Sequence, residues 1–198
     1  MTRDERRETS HDLICSLHEE CMNTPYIIVI AGPNGVGKST FAKWYLKGLP
    51  DCDLIVDPDS IARDLTDVPI AERNVRAGRL ALWLIDSLTQ RRRSFAIEST
   101  LSGKSLALKL QAAARSGYRI VIVMLWVPSV NVSSRRVARR AATGGHDIPF
   151  DVQIRRFDRS FSNFFTIYQG VCHEWSLFDG FATLPEEIAS GRGGLAED

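Results

Sequence analysis

Residues 26–40 read Tyr-Ile-Ile-Val-Ile-Ala-Gly-Pro-Asn-Gly-Val-Gly-Lys-Ser-Thr. The first six are apolar and mostly β-branched, and Pro25 and Gly32 bound them, which predicts a short strand buried on both faces. The next eight, Gly32, Pro33, Asn34, Gly35, Val36, Gly37, Lys38 and Ser39, fit G-x-x-x-x-G-K-[ST], with Thr40 following. Glycines here let the backbone turn so that successive N–H groups face inward onto phosphate oxygens. The helix expected from Lys38 to Leu46 adds its positive end. The Lys38 ammonium is expected on the β- and γ-phosphates and the Ser39 hydroxyl on Mg2+. The pattern follows a predicted strand and opens a predicted helix, the context in which it binds a nucleotide.

Further strand-like runs lie at Leu54–Val56, Phe95–Glu98 and Tyr118–Val127. Helical patterns separate them: Ile70 to Gln90, with an apolar stripe at Leu80, Leu84, Ile85 and Leu88, and Ser105 to Arg115, stopped at Gly117. Strands alternating with helices imply βαβ crossovers. The expected fold is therefore α/β, a P-loop NTPase with a doubly wound, mainly parallel sheet and flanking helices. After Pro128 the pattern becomes two helices, Asn131 to Ala142 and Pro149 to Ile167, the second with Ile154, Phe157, Phe161, Phe164 and Phe165 on related faces; they form a basic helical lid. Three segments are expected: a charged leader, 1–24, with an amphipathic helix from Asp12 to Met22 (Leu13, Ile14, Leu17, Cys21), a kinase domain over 25–189, and a Gly-rich flexible tail over 190–198.

The 198 residues are 44% hydrophobic and 25% charged, which excludes a disordered chain. The longest apolar run, 120–127, is too short for a bilayer span, so no membrane association is expected. A formal net charge of +1 gives no global pull toward nucleic acid. Cys15, Cys21, Cys52 and Cys172 lack CxxC spacing, and the charged N-terminus lacks a secretory signal, so a cytoplasmic location is expected.

Three readings compete: a small-molecule kinase, a transport-type or motor ATPase, and a nucleotide-binding module without catalysis. Leu101-Ser102-Gly103 hints at a transport ATPase, but it follows the strand ending at Glu98, where the signature of those proteins precedes the acidic strand. The kinase reading rests on three features. Val56-Asp57-Pro58-Asp59 puts carboxylates at the carboxyl end of a strand, where open parallel sheets bind ligands, and Asp59 is placed to take the proton of an attacking hydroxyl or, alternatively, to cap the next helix. Glu98 ends another strand and is expected on a substrate hydroxyl or on water-bound Mg2+, with Thr100 and Ser102 as further substrate contacts. From Ser129 to Ser160 seven arginines face three aspartates. Arginines in such a lid clamp the transferring phosphoryl group. Arg136 and Arg140 share one helix face and are the preferred pair; Arg135 and Arg139 share another. Trp175 and Phe178 either border the adenine or pack in the core.

These segments together, AGPNGVGKST (31–40), VDPDSIA (56–62), IESTLSG (97–103), WVP (126–128), RVARRAATGGHDIP (136–149) and IRRFDRSFSNF (154–164), resemble the zeta toxin family of P-loop kinases, most closely its short, stand-alone bacterial branch. The resemblance spans about residues 25–165. It implies an ATP- or GTP-dependent, Mg2+-requiring kinase acting on a hydroxyl of a nucleotide sugar such as UDP-N-acetylglucosamine, and an antitoxin as partner. It places the general base on Asp59, the substrate glutamate on Glu98, the following hydroxyl on Thr100 and the phosphate lysine on Lys38. For the lid it points to Arg139 by an ungapped count from Pro128 and to Arg136 and Arg140 by the short branch's own pattern, with His146, or Arg155 and Arg156, as a later contact. The lid departs from the longer toxins in carrying Gly-Gly-His-Asp-Ile-Pro where they have an arginine. Kinases of other small metabolites or of polynucleotide ends remain open alternatives.

Overall fold

A computed structural model of the chain describes residues 24–47, 49, 52–142, 148–182 and 185–196. Its centre is β1 (Tyr26–Ala31), all six residues of which are buried. β1 pairs in parallel with β3 (Phe95–Ser99) on one side and β4 (Arg119–Trp126) on the other. The short β2 (Ile55–Val56) lies outside β3, β5 (Glu174–Asp179) runs parallel to β4, and β6 (Glu186–Arg192) closes the far edge antiparallel to β5. The order is β2-β3-β1-β4-β5-β6.

Side chains alternate across a strand, so each apolar run serves two cores at once. Ile27, Val29, Ile97, Ile120, Ile122 and Met124 face one cluster, covered by α3 (Ile70–Gln90) and α4 (Ser105–Arg115) and reached by Phe164 of α6 (Phe150–Thr166). Ile28, Ile30, Val121, Val123 and Leu125 face the other, covered by Phe41, Ala42 and Tyr45 of α1 (Lys38–Tyr45). The sheet is thus mostly parallel with helices on both faces, as the alternating pattern predicts. α2 (Pro58–Asp64) and α5 (Val130–Ala142) complete the helices, and a 3-10 turn at Tyr168–Val171 follows α6.

Several expectations need correction. The buried stripe of α3 is Ala77, Ala81 and Ile85, with Leu84 and Leu88 beside it; Leu80 points outward, because alanines let the helix lie close to the sheet. On α6, Phe157, Phe161 and Phe164 pack inward, while Ile154 and Phe165 are exposed. Residues 190–192 are not a flexible tail: they finish β6, and Gly193 and Leu195 N–H donate to His173 O (2.8 Å) and Cys172 O (3.0 Å). The sequence shows no strand there because β6 is an exposed edge, held by backbone pairing and not by an apolar face. Phe178 is buried against Phe41 (5.1 Å) and Trp175 packs on Phe164 (5.7 Å), so the core alternative holds for both. Gly117 takes a φ of 81° just past α4, as a helix stop requires. The expected helix 12–22 and His146 lie outside the described residues. Among the described residues no helix is long and apolar enough to cross a membrane.

Candidate active site

The loop from Gly32 to Gly37 joins β1 to α1 at the carboxyl end of the sheet. Two of its glycines are needed for different reasons. At Gly35, φ is 77° and a Cβ would sit 2.4 Å from Ser133 O of α5, so both conformation and space exclude a side chain. At Gly37, φ is 108° but the Cβ position is open, so only the backbone conformation demands glycine. No side chain caps α1, which leaves its first N–H groups directed at the loop's concavity.

The loop is held from three sides. Gly32 N–H donates to Ser99 O (3.1 Å) at the end of β3. Arg136 of α5 donates from one nitrogen to Val36 O and to Gly180 O, both at 3.0 Å. Arg156 of α6 donates to Oδ1 of the buried Asn34 at 3.4 Å. Lys38 Nζ lies back over its own loop, donating to Gly32 O (3.0 Å) and Pro33 O (3.1 Å). Burial holds the Lys38 ammonium below its usual range; Asp59, Glu98 and Asp57 oppose that shift, and the nearby positive charge of Arg140 adds to it.

Opposite the lysine are the carboxylates. Asp57 is the N-cap of α2: its Oδ1 accepts from Asp59 N–H at 2.9 Å, and Pro58 occupies the first turn. The cap role considered for Asp59 therefore belongs to Asp57, and Asp59 faces the cavity. Glu98 is buried, and its Oε2 accepts from Ser39 Oγ at 2.8 Å. Burial pushes the Glu98 carboxyl above its ordinary range; the Ser39 hydrogen bond and Lys38 pull it down, and Asp57 and Asp59 push it up.

One cavity of about 150 Å3 collects these groups. It is lined by Lys38, Asp57, Asp59, Glu98, Thr100, Ser102 and Arg156, and also by Pro58, Asn74 and Ser99. The hydroxyls of Thr100 and Ser102 are 2.8 Å apart at its wall. The structure thus brings together Asp59, Glu98, Lys38, Thr100 and Ser102 from three separate segments. The preferred pair needs correction: neither Arg136 nor Arg140 lines the cavity, and the Arg136 guanidinium is taken up by Val36 O and Gly180 O. Arg140 stays near Lys38 electrostatically. Asn74 carries no signal in the sequence, being one polar residue among many on α3; of the expected pair Arg155 and Arg156, Arg156 lines the cavity and Arg155 does not.

A family model described as an AAA domain matches residues 27–166, more than half of the chain. The chain belongs to this AAA domain family. An uncharacterized protein of Haemophilus influenzae is 28% identical to this AAA domain protein over 130 residues, covering 66% of this chain and 91% of the relative. Among solved structures, a chain of the PezAT chromosomal toxin–antitoxin system of Streptococcus pneumoniae superposes with a TM-score of 0.62 at 15% identity, covering 96% of this chain and 82% of that one. A chain of the AvrRxo1-ORF1:ORF2 complex with ATP gives 0.67 at 18%, covering 96% and 65%. Shikimate kinase of Acinetobacter baumannii gives 0.52 at 16%, covering 89% of each chain. At these identities the likeness concerns the fold: the AAA domain here has the fold of P-loop kinases, and the resemblance to zeta toxins holds at that level.

Proposed function

We propose that this chain is a kinase that transfers the γ-phosphate of ATP to a hydroxyl of a small molecule, and that a nucleotide sugar such as UDP-N-acetylglucosamine is the acceptor class to try first. One observation carries the reading: because Asp57 takes the helix cap, Asp59 presents a carboxylate in the cavity that also holds the phosphate-loop lysine. A nucleotide-binding module needs the loop but no acid across from it.

In this reading Gly32–Thr40 binds the triphosphate. Asp59 accepts the proton of the acceptor hydroxyl as its oxygen bonds to the γ-phosphorus, and the bond from that phosphorus to the β-γ bridging oxygen breaks, releasing ADP. Lys38 leaves its two carbonyl partners to neutralise the transferring group, and Arg140 adds positive charge beside it. Ser39 and Glu98 supply a neutral and an anionic oxygen side by side, hard donors that fit Mg2+, while the described residues contain no cluster of three His, Cys, Asp or Glu that would hold a metal alone. Bound there with the triphosphate, Mg2+ would offset charge on the phosphate oxygens. The Ser39–Glu98 contact supports the metal-side role of Glu98 over a hydroxyl-binding one, leaving Thr100, Ser102 and Asn74 to the acceptor.

The toxin role and an antitoxin partner are part of the same proposal, supported by the shared fold with the PezAT chain. A cytoplasmic location accords with the buried free thiols of Cys52 and Cys172. The test is transfer of phosphate from Mg-ATP to UDP-sugars, other small metabolites and short RNA, followed by mass spectrometry. Asp59→Asn is expected to bind ATP normally and to lose transfer by about two to four powers of ten. Normal turnover in that variant would remove Asp59 as the base; ATP binding with no phosphorylated product would favour a binding module.

A further inference from the structure

The segment Ser99–Gly103, which carries two cavity hydroxyls, has an unusual backbone. Leu101 takes a φ of 52°, in the left-handed region that a bulky side chain rarely adopts. Its side chain is buried at 1% exposure, and its N–H is bonded to Ser99 Oγ at 3.0 Å. The turn this creates sets Thr100 and Ser102 side by side at the cavity wall. A strained turn persists only where its surroundings over-determine it.

Here the surroundings are a row of polar side chains from one direction. Ser160 of α6 donates to Thr100 O. Asn163 Nδ2, one turn on, donates to Leu101 O at 2.6 Å. Tyr168 OH, in the 3-10 turn beyond, donates to Gly103 O at 2.7 Å. Ser160 and Tyr168 are fully buried. Arg156, one turn before Ser160 on the same helix face, lines the cavity and reaches Asn34 in the phosphate loop. On this face of α6 the buried Ser160 and the half-buried Arg156 and Asn163 stand beside the inward-packed Phe157 and Phe164, polar groups set into an otherwise apolar stripe.

We propose that Ser160 and Asn163 are positioning residues for the acceptor: they hold Ser99–Gly103 in its strained turn so that the Thr100 and Ser102 hydroxyls meet the substrate. This rests on the kinase reading for its substrate and on the contacts above for its geometry. The donor loop is held from outside the turn by Arg136 and Arg156, and Ser99, whose O takes the Gly32 N–H, is itself fixed in β3 beside Ala31, so loosening the turn at 101–103 leaves ATP binding in place.

The experiment uses the full chain with Ser160→Ala, Asn163→Ala and Asn163→Asp; the last keeps the size of the side chain but removes the donor. Steady-state transfer from Mg-ATP to UDP-N-acetylglucosamine is measured against both substrates, together with amide hydrogen exchange. The expected result is a fall of about 100-fold in kcat/KM for the acceptor in Asn163→Ala combined with Ser160→Ala, matched in direction by Asn163→Asp, with the KM for ATP unchanged. Amides of 101–103 are expected to exchange about tenfold faster, and those of 34–40 at the parent rate. The proposal is overturned if KM for ATP and for the acceptor move together, if neither moves, or if the turn loosens without any change in acceptor kinetics. Should the parent protein transfer phosphate to no acceptor, the kinase reading fails separately. The exchange data then decide the structural claim: acceleration confined to 101–103 supports it and parent-like rates there overturn it.

Discussion

The two halves of the site are built in opposite ways. The donor half is nine consecutive residues, Gly32–Thr40, shaped by its own glycines and by the end of α1. The acceptor half is gathered from Asp59 on α2, Asn74 on α3, Thr100 and Ser102 after β3, and Arg156 on α6. A contiguous loop has its geometry from local stereochemistry and tolerates few substitutions. A gathered surface depends on helices meeting across the sheet, and it varies with whatever each helix presents. The comparison teaches that a contiguous loop is specified by its own residues, whereas a gathered cavity is specified by how this chain's elements pack.

Breaking the donor half outright gives the largest effect. Lys38→Ala removes the cation that the proposed mechanism brings to the triphosphate, and turnover is expected to fall by about 10³-fold in a coupled ADP-release assay, with no growth arrest on expression. Arg136→Ala tests whether the grip on the loop matters. Loss of the bonds to Val36 O and Gly180 O is expected to raise the KM for ATP by about tenfold and leave the acceptor KM alone. An equal rise in both would show that the two halves are not independent.

Adjacent acids sharpen the contrast at lower cost. Asp57→Ala removes the N-cap of α2 and is expected to cost about 1 kcal/mol, lowering Tm by about 2–4 °C, while Asp57→Asn, which still accepts the Asp59 N–H, holds Tm. Asp59→Asn, by contrast, is expected to keep Tm and lose turnover. The smallest effect belongs to Glu98, which stands between the halves. Burial makes its ionisation costlier in the folded chain than in the unfolded one, so its contribution to stability is full below the ordinary carboxylate range and is lost as pH rises through its raised value. Relative to the parent, Glu98→Gln is therefore expected to gain in Tm as pH rises above the ordinary carboxylate range, by about 2–4 °C for each kcal/mol of that penalty. A gain that shrinks as pH rises would contradict the buried, charge-opposed setting of this carboxylate.

The sequence by itself determined the phosphate loop, the first four strands and the acidic residues at the carboxyl ends of two of them. Those features are written locally: glycine conformations over nine residues, unbroken apolar runs for strands covered on both faces, and a Pro-Asp start to a helix. The tertiary structure alone decided the rest. Asp57 and Asp59 are two residues apart, chemically alike and both at the cavity, and only the backbone of α2 shows that Asp57 is the one taken up in its cap. Arg136 and Arg140 share a helix face, yet only the packing shows that the first is held by Val36 O and Gly180 O. β6 has no apolar alternation to reveal it, Asn74 is one polar residue on a long helix, and the pair Ser160 and Asn163 has meaning only opposite a turn about 60 positions earlier in the chain. Local stereochemistry acts through neighbouring residues and leaves a pattern in the sequence. Contacts made across the sheet depend on how distant elements pack, and no short stretch of sequence records them.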